Sequence, residues 1–259
     1  MEINQAFTIL QQSGGIRAAR IITDKYKKLS KIRTMIIAHK LRRGTPVAKI
    51  IHEKWFFGLK FYTNRHTLDP RPDTETLVSA VISDKMDDTP TTILDLGTGT
   101  GCIICSLVKN IAHSSGLAID KSRPAIRVAR RNIKELGLSN KIRTKRTSFE
   151  HTRNISEKFD IIVSNPPYIA KNDTRVNNGA LYDPKIALYA KNNGLAAYES
   201  IAKNAHKWIK NGGKLYLEIG IDQGIDIKNI FIQNGWDLLR SENDLANIER
   251  VLVFIRAHK

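Results

Sequence analysis

The sequence predicts an α/β fold: a mostly parallel, seven-stranded sheet with helices on both faces, preceded by a short helical domain and a β-hairpin linker. From Thr92 onward, short apolar runs alternate with longer helical stretches, and turns containing glycine separate several of them. Parallel strands need a crossover connection, usually a helix, and such helices cover both faces of the sheet. The alternation therefore indicates a parallel sheet that is covered on both faces.

The first 44 residues are predicted to form a short, basic helical domain. Apolar anchors recur through it, and Ser13-Gly14-Gly15 divides it into a short helix and a longer one. Residues 45–72 are predicted to be a linker with two β-like stretches, 47–52 and 55–63. This pattern suits a hairpin or an extended connection.

Residues 73–259 are predicted to form the main domain. The prolines of Pro70-Arg71-Pro72 force an extended entry, after which Asp73 or Thr74 can cap a helix that runs to about Met86. The predicted strands are 93–97, 116–119, 142–147, 159–163, 213–219, 235–240 and 249–256. The predicted helices are 101–112, 123–137, 195–210 and 222–234. The last two strands are predicted to pair as a hairpin.

Length and composition limit the class of protein. With 259 residues, of which 41% are hydrophobic, the chain can bury one sizeable core and a small appendage. No stretch approaches the ~20 apolar residues of a membrane span, and no signal peptide is evident. Cys102 and Cys105 are too few for a disulfide framework or a metal site, so we interpret both as core residues. We expect a cytoplasmic monomer without a metal or a membrane contact.

The formal net charge of +17 is distributed unevenly. Residues 1–65 contain fourteen Lys or Arg and three acidic residues, and residues 120–146 contain ten Lys or Arg and two acidic residues. A basic N-terminal arm and a basic patch favour contact with a polyanion such as RNA or a ribosomal complex. The charge also suits a chain whose solvated faces are basic throughout, and both interpretations stay open.

A predicted strand followed by a glycine-rich turn, residues 93–101, is the first candidate ligand site. Alternating glycines let the backbone approach a ligand closely, and the next helix offers unpaired N–H groups at its N-terminus. Asp120 ends the following strand, nineteen residues after Gly101, where an acid can hold both hydroxyls of a ribose. The glycine spacing departs from the dinucleotide fingerprint, because the two-residue gap before its third glycine is absent.

The second candidate site is the turn Asn165-Pro166-Pro167-Tyr168, which follows a buried strand. The two prolines stop the strand and make the turn rigid. Asn165 Oδ1 and the Pro166 carbonyl oxygen can each accept one hydrogen of a planar NH2 group, and Tyr168 can cover its flat face. A nitrogen with a delocalised lone pair attacks poorly, so the turn suits a nitrogen that is held rather than deprotonated.

Asp95 before the glycine turn, Asp120 after the second strand and the Asn-Pro-Pro-Tyr turn after the fourth resemble the pattern of class I S-adenosylmethionine-dependent methyltransferases. Proteins of this class have a Rossmann-like sheet. Each element lies at the carboxyl end of a parallel strand, where open α/β sheets bind ligands. The resemblance implies that S-adenosyl-L-methionine is the cofactor.

Segments outside these motifs indicate which kind of group accepts the methyl. Residues 55–61, 71–75, 97–101 and 164–169, in this order, resemble the release-factor glutamine methyltransferases (the PrmC/HemK family). Further segments that match the family's pattern are 182–188, 194–198, 217–220, 222–224, 244–246 and 249–251. The resemblance runs from about residue 45 to the end.

The resemblance implies methyl transfer to N5 of the glutamine in the Gly-Gly-Gln motif of peptide-chain release factors, which modulates translation termination. The catalytic and substrate-binding residues would be Asn165, Pro166, Pro167 and Tyr168. The residues at the cofactor would be Gly97, Thr98, Gly99, Thr100, Gly101, Asp120, Ser148, Phe149 and Asn165. Catalysis would be the alignment of a neutral amide with the sulfonium methyl, without a general base.

Three features depart from the family's pattern. The helical portion before the hairpin is short, which can alter the docking of a release factor. Ser148 stands where the family commonly has a tryptophan near the adenine, so Phe149 or another side chain must provide any stacking. Asp69 stands in an apolar position of the segment before Pro-Arg-Pro.

Two other functions stay open. The charge and the shared turn also fit an N6-adenine methyltransferase acting on RNA or DNA, which would stack a flipped base on Tyr168. A catalytically silent partner of RNA or the ribosome would bind the cofactor on the same fold without turnover.

Overall fold

The computed structural model of the chain describes residues 1–85, 87–150, 155–173 and 178–257. Its α-helices are α1 Ile3–Lys25, α2 Lys31–Arg42, α3 Val47–Ile51, α4 Thr74–Asp84, α5 Cys102–Asn110, α6 Arg123–Glu135, α7 Lys185–Leu188, α8 Ala196–Asn204 and α9 Gly224–Gln233. Its strands are β1 Glu53–Phe56, β2 Leu59–Tyr62, β3 Thr91–Leu96, β4 Ser114–Asp120, β5 Ile142–Arg146, β6 Phe159–Ser164, β7 Ile169–Ala170, β8 Tyr189–Ala190, β9 Ile209–Glu218, β10 Trp236–Asn243 and β11 Glu249–Arg256.

The central sheet has seven strands in the order β10-β11-β9-β6-β3-β4-β5. The five strands from β9 to β5 are mutually parallel, whereas β11 pairs antiparallel with both β9 and β10. The predicted fold class is confirmed, and so are the seven predicted strands and the final hairpin. The four helices predicted between the strands correspond to α5, α6, α8 and α9.

Two apolar clusters cover the two faces of the sheet. One contains residues of α4 and α5 with Phe56 and Phe61 of the hairpin, and the other contains residues of α8 and α9. Cys102 and Cys105 are buried in the first cluster, which confirms their interpretation as core residues. Because β4, β3 and β6 are adjacent and parallel, the residues that follow them meet at one edge of the sheet.

The helices of the N-terminal arm differ from the prediction in one respect. Gly15 has a φ of 84° inside α1, so the predicted break is confirmed as a kink. The single longer helix expected after it is wrong, because the chain leaves helical geometry after Lys25 and resumes it only in α2. Ser30 explains the restart, since its Oγ accepts a hydrogen bond from the Arg33 N–H at 3.2 Å and caps α2.

The stretch 47–52, predicted to be β-like, contains the short helix α3 instead, so this prediction is wrong. Pro46 stands directly before the helix and has no N–H to leave unpaired there. The isoleucines of α3 pack into an apolar cluster with α1 and α2, and this burial outweighs their β propensity. The second stretch forms the predicted hairpin, with Phe57 and Gly58 between β1 and β2.

Helix α4 begins at Thr74 and ends at Asp84, inside the predicted range. The Asp73 side chain makes no capping hydrogen bond in the described structure. Thr74 Oγ1 accepts a hydrogen bond from the side chain of Asn165, through its Nδ2, at 3.1 Å. Met86, the predicted end of the helix, lies outside the described residues. The division of the chain after residues 44 and 72 stays a prediction. Within the described ranges, no helix is both long and apolar enough to cross a membrane.

Packing of β4 against β3 and α5 leaves no room for a side chain at Gly116 of β4. A Cβ atom there would meet the Ile93 carbonyl oxygen at 2.6 Å and Ile104 Cδ1 at 2.7 Å. We therefore expect Gly116→Ala to lower the free energy of unfolding, measured in urea, by about 1–3 kcal/mol. Ser115→Ala, at an exposed position of the same strand, should change it by less than about 0.5 kcal/mol. Equal stability of the two variants would contradict this packing.

Candidate active site

The carboxyl edge of β3, β4 and β6 opens into a cleft of about 910 Å³, a volume that includes the open solvent at its mouth. Among the described residues, the lining includes nine from the predicted site: Gly97, Thr98, Gly99, Thr100, Asp120, Ser148, Phe149, Asn165 and Pro167. Gly101, Pro166 and Tyr168 are neighbours of these residues in the chain but lie outside the described lining.

The glycine turn between β3 and α5 has a backbone that glycine adopts more readily than other residues. Gly97, Gly99 and Gly101 have φ angles of 76°, 55° and 81°. A Cβ atom on Gly97 would meet none of the described atoms within 4 Å, so a ligand can approach the backbone closely there. Asp95 holds the turn, because its Oδ2 accepts a hydrogen bond from Thr98 Oγ1 at 2.6 Å.

Asp120, at the end of β4, is oriented by two backbone groups. Its Oδ2 accepts a hydrogen bond from the Gly99 N–H at 3.0 Å, and its Oδ1 accepts one from the Ser122 N–H at 2.8 Å. Burial raises the pKa of Asp120, and these two hydrogen bonds oppose the increase. Each carboxylate oxygen keeps a further lone pair, so the group can still accept hydrogen bonds from two neighbouring hydroxyls.

Ser148 and Phe149 line the cleft after β5. Ser148 Oγ accepts a hydrogen bond from the Glu150 N–H at 3.2 Å, and the Phe149 carbonyl oxygen accepts one from Asn204 Nδ2 at 3.1 Å. The Phe149 side chain is packed into the apolar cluster beneath α8 and α9. It therefore offers a fixed apolar ring at the cleft, and its stacking on an adenine stays a prediction.

The Asn-Pro-Pro-Tyr turn is anchored where it leaves β6. Ser164 Oγ donates a hydrogen bond to the Leu96 carbonyl oxygen at 2.7 Å, which ties the end of β6 to β3. Asn165 Nδ2 donates a hydrogen bond to Thr74 Oγ1 at 3.1 Å. Because an amide donates only through its nitrogen, this bond leaves Oδ1 as the atom that can accept from a ligand.

Tyr168 ends the turn in a closely packed setting. Its carbonyl oxygen accepts a hydrogen bond from Gln223 Nε2 at 3.0 Å. A Cβ atom on Gly194 would meet this oxygen at 2.1 Å, and one on Gly220 would meet Tyr168 Cδ2 at 3.0 Å, so both glycines make room for the tyrosine. Burial raises the pKa of Tyr168 well above its ordinary value, so the phenol stays neutral. Its contact with an acceptor amide stays a prediction.

Glu218, at the end of β9, is a buried acid behind the turn that the sequence-based site omitted. It is 1% exposed. Burial raises its pKa to about 7, and the neighbouring Thr74 hydroxyl, the Arg250 charge and the Asn165 amide oppose the increase. Among the described residues, no hydrogen-bond partner reaches its Oε2. The sequence could have indicated Glu218, because it is an acidic residue within the apolar segment 217–220, and acidic residues are rarely buried without a partner.

Two loops absent from the predicted site complete the cleft. Loop 66–71 follows the hairpin, and the segment around α7 contributes Pro184, Ile186 and Ala187. In the sequence analysis, loop 66–71 was described as an extended entry to α4. The segment around α7 was described as a match to the family's pattern, so neither was assigned to the site.

Asn132 of α6 is a further residue that the prediction missed. It is 1% exposed, its Oδ1 accepts a hydrogen bond from the Tyr62 N–H at 2.7 Å, and its Nδ2 donates to the Tyr62 carbonyl oxygen at 3.0 Å. The same Nδ2 donates to the Thr100 carbonyl oxygen at 2.8 Å. One amide therefore connects the hairpin to the glycine turn.

The sheet order, the glycine turn and the acid after the second parallel strand define a class I S-adenosylmethionine-dependent methyltransferase fold. The model of the methyltransferase small domain family matches residues 72–181. The solved structure of a methyltransferase from Pyrococcus furiosus is similar, with a TM-score of 0.57 and 17% identity, and the match covers 89% of this chain and 100% of that chain. This likeness supports the fold.

A release factor glutamine methyltransferase from Agrobacterium fabrum (strain C58 / ATCC 33970) is 39% identical over 222 residues, which cover 82% of this chain and 75% of that protein. The chain belongs to the release factor glutamine methyltransferase family. A bifunctional methyltransferase from Rickettsia felis (strain ATCC VR-1525 / URRWXCal2) is 36% identical over 239 residues, or 81% of this chain. The chain covers only 45% of that longer protein.

The fold and the family imply S-adenosyl-L-methionine as the cofactor. The residues at the cleft fit this group in two ways. The backbone at Gly97 is open to close approach, and Asp120 is oriented with lone pairs to spare.

Glu218 makes stability depend on pH. Its pKa in the folded state is about 7 against an ordinary value of 4.5, so between these values the folded state holds a proton that the unfolded state has lost. The stability that protonated Glu218 gives the folded state is fully present below its ordinary pKa of 4.5, and it is lost as the pH rises toward the folded-state pKa of about 7. We expect Glu218→Gln, which cannot ionise, to lessen the decrease in the free energy of unfolding between about pH 5 and about pH 7.5, measured in urea.

Glu2→Gln, which removes an exposed carboxyl, is the matched control for Glu218→Gln. Its decrease in the free energy of unfolding should follow that of the unmodified chain. If Glu218→Gln also followed it, the assigned burial effect would be wrong.

Proposed function

We propose that this chain transfers the methyl group of S-adenosyl-L-methionine to N5 of the glutamine in the Gly-Gly-Gln motif of peptide-chain release factors, and so modulates translation termination. The observation that carries the proposal is the fixed amide of Asn165. Its nitrogen donates a hydrogen bond to Thr74 Oγ1, so Oδ1 is left to accept a hydrogen bond at the cleft. Membership of the release factor glutamine methyltransferase family supports the same acceptor.

We assign the cofactor to the part of the cleft formed by the glycine turn, Asp120 and Phe149. S-adenosyl-L-methionine, when bound, supplies an electrophilic methyl group on a sulfonium centre. Asp120 would accept hydrogen bonds from the ribose hydroxyls, and N–H groups at the start of α5 would bind a carboxylate. Phe149 would lie against the adenine.

The Asn-Pro-Pro-Tyr turn would position the acceptor amide. Asn165 Oδ1 and the Pro166 carbonyl oxygen would each accept one N–H of the glutamine side chain, and the prolines keep both acceptors rigid. As the N–C bond forms, the bond between the methyl carbon and the sulfonium sulfur would break and leave a neutral thioether. Positive charge would develop on the nitrogen and strengthen both hydrogen bonds, so the turn would favour the transition state over the ground state. The nitrogen then loses one hydrogen as a proton to water, and no general base is required.

The rest of the proposal concerns partners and setting. The Lys and Arg side chains of α1 and α2 are exposed, which suits a contact between the basic arm and RNA or the ribosome during the reaction. We place the reaction in the cytoplasm, where release factors act, and we take the enzyme to be a monomer.

One assay tests the proposed acceptor. Radiolabelled S-adenosyl-L-methionine is offered with a purified release factor and, in parallel, with total RNA. We expect label on the release factor, and we expect it to disappear when the glutamine of the Gly-Gly-Gln motif is replaced by alanine. Label only in RNA would instead identify a nucleic-acid methyltransferase. Cofactor binding without label in either substrate would identify a catalytically silent partner.

A substitution at Asn165 tests the hydrogen bond that its Oδ1 would accept from the glutamine amide. Asn165→Ala removes the acceptor Oδ1, so kcat/KM for the release factor should decrease about 100-fold or more, measured by initial rates of methyl transfer. Asn140→Ala makes the same chemical change at an exposed position and should leave the rate unchanged. A decrease of less than about threefold for Asn165→Ala, at an unchanged melting temperature, would exclude the proposed role.

A further inference from the structure

A buried lysine links the N-terminal arm to the cleft. The side chain of Lys49, in α3, is 6% exposed, and its Nζ lies 2.8 Å from Asp69 Oδ1 and 2.8 Å from Asp183 Oδ1. The same Nζ donates to the carbonyl oxygens of Asn64 and Thr67 at 2.8 Å and 2.6 Å. One ammonium group therefore joins two segments that are more than a hundred residues apart in the sequence.

Arg71 completes a four-charge cluster with Lys49, Asp69 and Asp183. Its Nη2 lies 2.5 Å from Asp183 Oδ2, and the Asp69 N–H donates to Asp183 Oδ1 at 3.3 Å. Thr63 Oγ1 adds a hydrogen bond to Asp69 Oδ1 at 2.6 Å. The two cations balance the two carboxylates, and this balance lets the charges stay buried.

The four-charge cluster is built from the segments that form two walls of the cleft. Asp69 and Arg71 belong to loop 66–71, and Asp183 directly precedes Pro184, which lines the cleft from the other segment. Lys49 belongs to α3, whose isoleucines pack with α1 and α2. Lys49 therefore contacts both walls, and the Tyr182 hydroxyl beside Asp183 donates a further hydrogen bond to the Arg43 carbonyl oxygen after α2.

We propose that Lys49 is a positioning residue that sets the distance between these two walls and so admits the acceptor loop of the release factor. The inference rests on the proposed function and adds a role for the arm. Because α3 is packed on α1 and α2, a release factor that displaces the arm would displace Lys49, and with it both walls. The arm thereby influences acceptor binding without reaching the reacting atoms.

A single and a double variant separate the effect of losing the contacts of Lys49 from the effect of burying an unbalanced charge. Lys49→Met alone leaves Asp69 and Asp183 with Arg71 as their only cation in the cluster, so it disturbs the charge balance as well as the link from α3 to the two walls. Lys49→Met combined with Asp69→Asn leaves the neutral pair of Arg71 and Asp183, which still joins the walls directly. The double variant therefore removes the link from α3 without burying an unbalanced charge.

The experiment compares methyl transfer to a release factor by the full chain and by the double variant. We expect the double variant to recover most of the melting temperature lost in Lys49→Met. Its KM for the release factor should still be raised about tenfold or more, with kcat changed by less than about threefold. Lys158→Met, an exposed lysine, is the matched control and should behave like the unmodified chain.

A second measurement does not depend on activity. Amide hydrogen exchange of residues 180–190 should be about tenfold faster or more in the double variant, because Asp183 has lost its contact with the arm. If exchange increased but no version of the chain methylated a release factor, the proposed function would fail and the link through Lys49 would stand. If KM and exchange both stayed unchanged in the double variant, Lys49 would contribute to stability alone and the proposed positioning role would be wrong.

Asp183→Ala removes the contact of Lys49 with the opposite wall together with the direct contacts from Arg71 and the Asp69 N–H, and its surplus charge falls on Arg71, whose side chain is 35% exposed. This variant is used if the double variant does not recover its melting temperature. Unchanged KM and exchange would then overturn the proposal, and a raised KM with faster exchange would support positioning of the walls by the cluster that contains Lys49.

Discussion

The hydrogen bond from Asn165 Nδ2 to Thr74 Oγ1 joins the parts of the chain on which the cleft depends. Thr74 begins α4 and Asn165 follows β6, so the bond fixes the start of a helix against the end of a strand. Glu218, at the end of β9, lies beside Thr74 and Asn165, and both side chains oppose the increase in its pKa. Because buried polar groups are costly to leave without partners, the hydrogen bond between Thr74 and Asn165 holds these two side chains in place. The acceptor oxygen of Asn165 is therefore positioned by the fold itself.

The central sheet could be predicted because its strands are apolar runs separated by turn residues, and both signals are local in the sequence. The stretch 47–52 could not, because its β-branched residues favour a strand locally, whereas the cluster that makes α3 helical is formed with α1 and α2. The break before α2 was missed for a different reason. Ser30 is a capping residue, but it lies between lysines and isoleucines that continue the same basic helical pattern.

The candidate site shows the same division between local and distant signals. The glycine turn, Asp120 and the Asn-Pro-Pro-Tyr turn are short motifs, and most of their residues line one cleft. Glu218 and Lys49 were not recognised, because their partners come from other parts of the chain and lysine is rarely buried. Burial of a charge depends on which opposite charge reaches it, and this information is absent from the spacing of residues along one segment.

The amide of Asn132 affects how the chain can be divided. Both backbone groups of Tyr62 pair with it, so a polypeptide beginning at residue 73 would leave an acceptor and a donor of a buried side chain without those partners. The same truncation would remove Phe56 and Phe61 from the apolar cluster that also contains α5. The hairpin therefore shares its apolar interior with the segment that follows it. Excision at the predicted linker would expose part of this interior to water.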